Sequence, residues 1–560
     1  MSRLATLRRL APSLMLVATA FALRFGVGTF GFVGSRELFR DEAASWTLAQ
    51  YPLPDLLHHA AGEAYPPLYA TLLKGWTFIA GDSEWALRSL SVVAGMAIVI
   101  VAWRWAADAL GRHEGFVAAT LVAISPIAIA NSRDARMYAL EAFFVVSAWF
   151  LIFRILTAQD WTRKRFLVYA VLLGLAVSGE LWTLALGLGS AGMQLALCLV
   201  AGVIARMRPN GSRQGSARPA LYGAAACGAG LVSFAPWAPA MLSVAGNGQP
   251  FWTGKPGLEE LGQPLAGMTV GSGLQVDSGL GFIAPPAIAI VVGLAIVGAI
   301  SMTARPRTSA ERVAGVMLLS GAAFVPAVWL VSQIRPVYDA RYLLPGLVPL
   351  LILSAAGAVR VADFLIGVSR APCWPSRTLS RGAVIALRAA LIGVVALPMI
   401  AGDVGWLNPW TANRSVAPTR AIVERLRDEI VPGDVVLAVD ARSYFSTAYY
   451  AARLVEAGTP LPCPILVWDP GDAPFYYGQS LIETDVTVRA SVADRIGLRA
   501  ALPGIGPKGR IWLVATANGR WHNVNFEPMN DGRVVELDRQ IVTQPTGDPG
   551  QIVLLAIAAP

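Results

Sequence analysis

The sequence predicts a polytopic α-helical membrane protein of about 11 transmembrane helices with a C-terminal soluble α/β domain. Three observations predict it. The 560 residues are 55% hydrophobic and 14% charged, whereas about 25% of the residues of a soluble globular chain are charged. Apolar runs long enough to cross a bilayer recur as far as residue 402. Beyond it the apolar runs have the length of β-strands and alternate with helical patterns, as in α/β domains.

Eleven segments are predicted to cross the membrane, since each has close to the 20 mostly apolar residues that a span needs. They are residues 10–33, 86–107, 114–132, 138–156, 166–182, 183–205, 219–242, 281–303, 313–333, 342–366 and 383–402. The first follows three arginines and resembles a signal peptide. Because it stays apolar to Val33 and many spans follow, we predict an uncleaved first helix.

Loop charge sets the predicted orientation. With eleven spans and the N-terminus inside, every inner loop is basic, which is the positive-inside pattern. The run 66–80 has 15 residues and contains Lys74, and counting it as a span would invert every later loop. We therefore predict that it is a juxtamembrane or re-entrant helix inside the first outer loop, residues 34–85. The inner loops account for the net charge of +9, so no nucleic-acid partner is predicted.

Two domains are predicted: a transmembrane module over residues 1–402 and an extracytoplasmic α/β domain over residues 403–560, in the periplasm or its equivalent. Strands are predicted at Val435–Val439, Ile465–Trp468, Ile511–Val514 and Ile552–Ile557, with helices at Thr419–Ile430 and Ser443–Val455. The four cysteines are scattered, so neither a disulfide framework nor a metal site is predicted.

The first outer loop contains two adjacent carboxylates, Asp41 and Glu42, close to two arginines. Such a pair suits general base catalysis, because a neighbouring arginine keeps a carboxylate ionised. The alternative is a solvated loop in which Asp41 caps a helix running to Leu57. The same loop contains His59, which is incidental in that alternative, and Tyr65, which precedes two prolines that also suit a helix start.

The second outer loop contains Arg133, Asp134, Arg136 and Tyr138 on the side of the membrane where positive charge is sparse. Two arginines there suit a cationic cradle for a phosphate, whereas the alternative is an Arg–Asp surface pair. A further carboxylate, Glu180, lies at an outer helix junction, where it is costly without a partner and is therefore a functional hypothesis.

The last outer motif contains Arg341 and Tyr342 at the start of the tenth span. A helix N-terminus favours an anion through its backbone N–H groups and dipole. Each motif alone is a weak signal. Together they place acids and arginines that are far apart in sequence on one face of the membrane, which favours a single site.

In combination and order, these motifs resemble the GT-C glycosyltransferases, in the branch of the protein O-mannosyltransferases and the lipid A aminoarabinose transferase. The resemblance covers roughly residues 10–400. It rests on Asp41-Glu42, Pro66–Tyr69, Arg136 with Tyr138, and Arg341–Pro345. The sequence departs from the family at Tyr65, where many members have histidine, and around Glu180, where a histidine or tyrosine is often found. Both departures leave the sugar and the acceptor open.

The resemblance implies a GT-C-like fold in the cell inner (plasma) membrane and a sugar transfer from a polyprenyl-phosphate donor to an acceptor hydroxyl on the outer face, with inversion. In this interpretation Asp41 is the base and Glu42 orients it or the acceptor. Donor phosphate binding is assigned to Arg136, Arg341, Tyr342 and Arg133, and acceptor or substrate contacts to Asp134, Tyr138, Glu180, Tyr65 and His59. Metal use varies among GT-C enzymes. No compact carboxylate cluster demands a divalent cation here, and no other cofactor is predicted.

Two other classes of function fit the sequence less well than an enzyme does. A transporter or flippase of a lipid-linked saccharide places ionisable groups near the midplane and often has inverted repeats, whereas these helix centres are nearly free of charge and no repeat is visible. A non-catalytic assembly or sensor protein would not need acids and arginines on the outer face. Within the enzyme interpretation, the acceptor stays open between a glycolipid such as lipopolysaccharide, a cell-wall polysaccharide and a protein.

Overall fold

The structure is a computed structural model. It describes residues 15–26, 33, 36–63, 65–158, 162–207, 217–246, 254–271, 283–368, 381–407, 419–438, 441–469, 487–489, 510–516, 534–542 and 550–557. The chain divides into two compact units. The helical unit is Met1–Gly31, Arg88–Pro239 and Pro250–Asn408, and the mixed unit is Phe32–Leu87, Ala240–Gln249 and Pro409–Pro560. This division groups the whole first outer loop with the C-terminal segment, Pro409–Pro560, which the sequence did not predict.

The described residues form twenty α-helices and six strands. The helices are α1 Met15–Phe25, α2 Arg40–Gln50, α3 Leu53–Gly62, α4 Leu68–Ala80, α5 Glu84–Leu110, α6 Arg112–Ala123, α7 Pro126–Ser132, α8 Tyr138–Thr157, α9 Arg163–Thr183, α10 Gly187–Met207, α11 Arg218–Ser233, α12 Ala238–Gly246, α13 Gln263–Thr269, α14 Ala284–Thr303, α15 Ser309–Ala322, α16 Phe324–Val331, α17 Leu344–Val368, α18 Arg381–Leu407, α19 Thr419–Glu429 and α20 Ala441–Glu456. The strands are β1 Val435–Ala438, β2 Ile465–Asp469, β3 Thr487–Arg489, β4 Ile511–Thr516, β5 Val534–Val542 and β6 Gly550–Ile557.

The protein is a multi-pass membrane protein. Among the described residues, nine helices are long and apolar enough to cross a membrane, and α6 with α7 makes a tenth span if this bent pair crosses as one. The predicted first span contains α1, an apolar helix too short to be counted within the described residues. All eleven predicted segments therefore contain an apolar helix, and nine or ten of them are long enough within the described residues to count as spans.

The predicted third span is broken into α6 and α7, which are bent by 61°. Pro126 is the first residue of α7, and Ser125 before it is extended, with ψ 120°. A proline ring clashes with a helical residue before it and drives that residue out of the α region. The sequence pattern therefore predicted the length of this apolar segment correctly and did not predict the break before Pro126.

In the first outer loop, α2 is shorter than the helix to Leu57 that the alternative interpretation gives, and α4 is too short to cross a membrane. The helix that begins before Asp41 ends at Gln50 instead of running to Leu57, because Tyr51 precedes a proline and is extended, with ψ 147°. The run 66–80 forms α4, which has 13 residues and is therefore about 20 Å long. A bilayer core is about 30 Å thick, so this length agrees with a helix that does not cross.

Small residues allow α14 and α17 to pack closely. A methyl group added at Gly298 would overlap the carbonyl oxygen of Leu353, and one added at Gly357 would overlap that of Leu294. Close approach through small residues is how helices associate in membranes, where no hydrophobic force drives them together. This contact fixes α17, whose N-terminal side carries the Arg341 motif.

Salt bridges mark the end of the helical unit opposite to the predicted motifs. Arg154 in the last turn of α8 pairs with Asp108 of α5, and Arg307 and Arg388 both pair with Asp363 of α17 at 3.0 and 2.7 Å. These arginines belong to segments predicted to face inward, so the basic residues at this end are partly neutralised by acids on neighbouring helices.

The mixed unit contains a six-stranded sheet in the order β3-β2-β1-β4-β6-β5. The first four strands pair in parallel, and β6 pairs antiparallel with β4 and β5. α20 connects β1 to β2, the usual way to join parallel neighbours. Apolar side chains of α19 pack against the sheet in a core of Ile422, Leu426, Ile430, Val436, Trp512 and Val514. All four predicted strands and both predicted helices are present.

Candidate functional site

Four of the predicted residues form an arginine–tyrosine cluster in the helical unit: Arg136, Tyr138, Arg341 and Tyr342. The guanidinium carbons of Arg136 and Arg341 lie 5.9 and 5.6 Å from the ring centroid of Tyr138. The Tyr138 and Tyr342 rings meet edge to face with centroids 5.5 Å apart. Cation–π contact holds an arginine against an aromatic ring, so Tyr138 gathers two arginines that are 205 residues apart in sequence (341 minus 136).

Polar contacts fix the two chain segments of this cluster. The carbonyl oxygen of Arg136 accepts a hydrogen bond from Ser91 Oγ at 3.1 Å. The carbonyl oxygen of Arg341 accepts one from Asn131 Nδ2 at 3.2 Å, which joins the end of α7 to the Arg341 segment. Neither Ser91 nor Asn131 was predicted as a site residue. Asn131 lies two residues before Arg133, the first residue of the second motif, and this position is the only signal that the sequence offered for it.

Asp339 orients Arg341. Its Oδ1 accepts hydrogen bonds from the backbone nitrogen and from Nε of Arg341, at 2.9 and 3.1 Å. Asp339 thereby caps a short 3-10 turn, Ala340–Leu343, which precedes α17. Arg341 therefore lies in this turn rather than in the helix itself. The same segment is held by Tyr338, whose hydroxyl donates to the Leu261 carbonyl at 3.2 Å, and burial raises the pKa of that hydroxyl.

The chemistry that this cluster offers is anion binding. A guanidinium group can present two parallel N–H groups to phosphate oxygens, which is a stronger and more directional contact than a lysine provides. Arg136 is buried and Arg341 is partly buried, and charges interact more strongly where water is excluded. Two such groups next to one tyrosine could together bind an anionic group.

The other residues of the second outer loop take different positions. Arg133 Nη1 donates to the Leu23 carbonyl of α1 at 3.4 Å, and Arg133 interacts electrostatically with the buried Asp403 of α18. The carbonyl oxygen of Asp134 accepts from the backbone nitrogen of Arg136 at 2.7 Å. The structure thus places Arg133 against α1 and α18, while Asp134 supports the turn. Their assigned roles in binding stay predictions.

Glu180 lies in a buried polar group on α8, α9 and α10. Its Oε2 accepts a hydrogen bond from Gln194 Nε2 at 3.2 Å, and the same Nε2 donates to Ser190 Oγ at 3.0 Å. Glu141 is also fully buried and interacts electrostatically with Glu180. Sequence reasoning missed Glu141, although an acid four residues into an apolar helix is itself a signal.

In the mixed unit, Asp41 and Glu42 have different surroundings. Asp41 is the second residue of α2, keeps 17% of its side chain exposed and pairs with Arg40 at 3.4 Å. Glu42 is 1% exposed, and its Oε2 accepts from the Phe39 backbone nitrogen at 2.9 Å and pairs with Arg36 at 3.5 Å. Glu42 therefore performs the capping that the alternative interpretation gave to Asp41. The carboxylate of Asp41 is the more accessible of the two.

Tyr65 and His59 lie further along the same loop. The Tyr65 backbone nitrogen donates to the Ala60 carbonyl at 3.0 Å, and the ring of His59 lies 4.3 Å from that of Tyr51. Both contacts are local. A role in acceptor binding stays a prediction for both residues. Within the described part of the chain, no three histidine, cysteine, aspartate or glutamate residues are grouped so that they could hold a metal ion.

Comparison with known proteins gives one family and several structures. The family of dolichyl-phosphate-mannose-protein mannosyltransferases matches residues 64–197. No curated protein gives a significant match. The crystal structure of ArnT from Cupriavidus metallidurans in the apo state is similar with a TM-score of 0.59 at 14% identity, covering 98% of each chain.

Two further structures are similar. ArnT from the same organism bound to undecaprenyl phosphate gives a TM-score of 0.57 at 14% identity, covering 97% of this chain and 98% of that one. An Archaeoglobus fulgidus oligosaccharyltransferase tethered to an acceptor peptide gives 0.50 at 12% identity, covering 91% and 69%. At these identities the likeness shows the fold alone, and it confirms the predicted GT-C-like fold.

Proposed function

We propose that this chain, which has the GT-C fold, is a glycosyltransferase that moves a sugar from a polyprenyl-phosphate donor to an acceptor hydroxyl. A fold alone does not fix a function. The observation that carries the proposal is the arginine–tyrosine cluster, in which two distant motifs supply guanidinium groups suited to a phosphate. The mannosyltransferase family that matches part of the chain, and the undecaprenyl phosphate bound to a protein of similar fold, support the same donor class.

The proposed reaction needs a base and an anion-binding group. The acceptor oxygen attacks the anomeric carbon, its proton passes to the carboxylate of Asp41, and the bond from the anomeric carbon to the phosphate oxygen breaks. The leaving lipid phosphate gains one negative charge, which Arg136 and Arg341 would stabilise. A single attack of this kind inverts the anomeric centre. The acceptor class remains open among glycolipid, polysaccharide and protein.

A transfer assay distinguishes this enzyme from a flippase. Proteoliposomes containing the protein would receive undecaprenyl-phosphate mannose, glucose or aminoarabinose labelled in the sugar, together with an envelope extract as acceptor source. An enzyme would release undecaprenyl phosphate in equal amount to the sugar transferred. Passage of the intact labelled donor across the bilayer without release of lipid phosphate would instead establish transport and overturn the proposal.

We also propose that the C-terminal segment lies outside the cytoplasm of a plasma-membrane protein and that the N-terminus lies inside. In a cysteine-free background, a membrane-impermeant maleimide added to intact cells should label Val455→Cys, because Val455 is 60% exposed on α20. It should not label Arg213→Cys, which lies in a predicted inner loop and outside the described residues. Labelling of the Arg213→Cys protein alone would refute this orientation.

A further inference from the structure

Within the mixed unit, Asp82 joins the first outer loop to α20. Its carboxylate accepts hydrogen bonds from Trp46 Nε1 of α2 at 3.1 Å and from Arg453 of α20 at 2.5 Å. Its carbonyl oxygen accepts from the Tyr449 hydroxyl at 3.1 Å. The rings of Trp46 and Tyr449 also meet edge to face, with centroids 5.1 Å apart. The side of α2 that carries Trp46 is therefore packed against α20.

Tyr450, the next residue of α20, reaches the start of α2. Its hydroxyl accepts a hydrogen bond from the Leu38 backbone nitrogen at 3.0 Å and donates to Glu84 Oε1 at 3.4 Å. Tyr450 and Leu38 are 4% and 1% exposed. Arg420 of α19 reinforces this contact, because it pairs with Glu84 and its backbone nitrogen donates to Glu37 Oε2 at 3.0 Å.

These contacts matter because they hold Leu38 and Phe39, the two backbone positions that lead directly into α2. The Phe39 N–H is bonded by Glu42, and the Leu38 N–H is bonded by Tyr450. Leu38 lies three residues before Asp41. The start of α2 is thus fixed from two directions, by a side chain of its own first turn and by a hydroxyl from the C-terminal segment.

The hydroxyl of Tyr450 suits a lasting contact. Burial, together with the negative charges of Glu37 and Glu84, raises the pKa of Tyr450 well above its usual value. A protonated hydroxyl can accept from Leu38 and donate to Glu84 at once. A tyrosinate could only accept, so the raised pKa preserves both hydrogen bonds.

We propose that Tyr450 is a positioning residue for Asp41, and that through it the C-terminal segment holds the carboxylate of α2 in the orientation that transfer requires. This inference rests on the proposed role of Asp41 as the base. A shift of about 1 Å in a reacting group can cost a large factor in rate. The C-terminal segment would then contribute to the reaction without itself touching the substrate.

Tyr450→Phe tests this proposal, because it removes one oxygen atom and keeps the ring. With undecaprenyl-phosphate sugar as donor, kcat should fall by roughly tenfold, which corresponds to the loss of one hydrogen bond at a buried N–H. KM for the donor should stay close to that of the wild type, and the free energy of unfolding should fall by about 1–3 kcal/mol, the cost of one unsatisfied buried N–H. Tyr444→Phe is the matched control, since Tyr444 lies on the same helix and its ring contacts Phe445.

A double mutant separates positioning from general structural damage. If Tyr450 acts through Asp41, the Asp41→Asn/Tyr450→Phe protein should be no slower than Asp41→Asn alone. Hydrogen exchange of the full-length protein in nanodiscs should become faster over residues 36–46 in Tyr450→Phe and stay unchanged in Tyr444→Phe. This exchange measurement needs neither donor nor acceptor.

The outcomes are distinguishable. A tenfold loss on top of the Asp41→Asn defect, or wild-type exchange over residues 36–46, would overturn the positioning role alone and leave the proposed function standing. A wild-type rate in Asp41→Asn would refute the proposed base and, with it, the positioning of that base. A loss that appears only when Asp41 is present, with faster exchange over the same residues, supports the proposal.

Discussion

Arg341→Ala should weaken the binding of undecaprenyl phosphate by roughly 10- to 100-fold, since a hydrogen bond to a charged group contributes about 1.5–3 kcal/mol. Two contacts of Arg341 in the structure support an effect of this size. Asp339 holds Nε of Arg341, and the guanidinium group lies over the Tyr138 ring, so the side chain is pre-oriented and little ordering is needed on binding. Binding is measured with the purified protein in nanodiscs. Undecaprenol, which lacks the phosphate, is the control ligand.

Two control variants separate the effect of the two parallel N–H groups of arginine from the effect of its positive charge. Arg341→Lys should recover only part of the affinity, because an ammonium group lacks the two parallel N–H groups. Arg335→Ala removes a positive charge from the same loop at an exposed position and should change binding little. Equal losses of affinity in Arg335→Ala and Arg341→Ala would mean that binding depends on the total positive charge of the loop and not on Arg341 itself. If Arg341→Ala does not fold, the affinities of Arg341→Lys and Arg341→Gln are compared with that of the wild type instead.

Apolar periodicity predicted the spanning segments because a bilayer demands long apolar runs whatever their neighbours are. It failed where a single residue decides the geometry. Pro126 breaks one span and Pro52 ends α2, although neither changes the apolar character of its segment. The same limit applies to β5, whose apolar residues are interrupted by Glu536, Asp538 and Arg539. This strand lies at the edge of the sheet, where charged residues are common.

The site was predictable to the extent that its residues lie in recognisable motifs. Arg136, Tyr138 and Arg341 were predicted separately, and the structure brings them together. The residues that hold them carry no such signal, because Asn131 and Asp339 are ordinary polar residues until the chain folds. The contact between Leu38 and Tyr450 joins residues separated by 412 positions. No local pattern in either segment encodes that pairing, since it depends on how α20 packs against α2.

The position of Asp41 within α2 changes what its substitution tests. Asp41 is not the helix cap, because Phe39 occupies that position and Glu42 supplies the carboxylate that bonds the Phe39 N–H. Replacing Asp41 should therefore leave the start of the helix intact. The cost to folding includes the favourable interaction of a carboxylate with the helix dipole, about 0.3–1 kcal/mol, and the ion pair of Asp41 with Arg40 at 3.4 Å.

We expect Asp41→Asn to lower the rate of transfer by roughly 100-fold or more, which is typical for the loss of a general base. Asparagine keeps the size of the side chain and cannot accept the proton, so undecaprenyl phosphate binding and the unfolding temperature should stay close to those of the wild type. Glu42→Gln is the matched control: glutamine can still accept from the Phe39 N–H, whereas the ion pair with Arg36 is lost. Its rate should fall by a few-fold at most, measured as labelled sugar transferred per enzyme under single-turnover conditions.

A fully active Asp41→Asn with an inactive Glu42→Gln would assign the base to Glu42, and activity in both would remove the pair from the reaction.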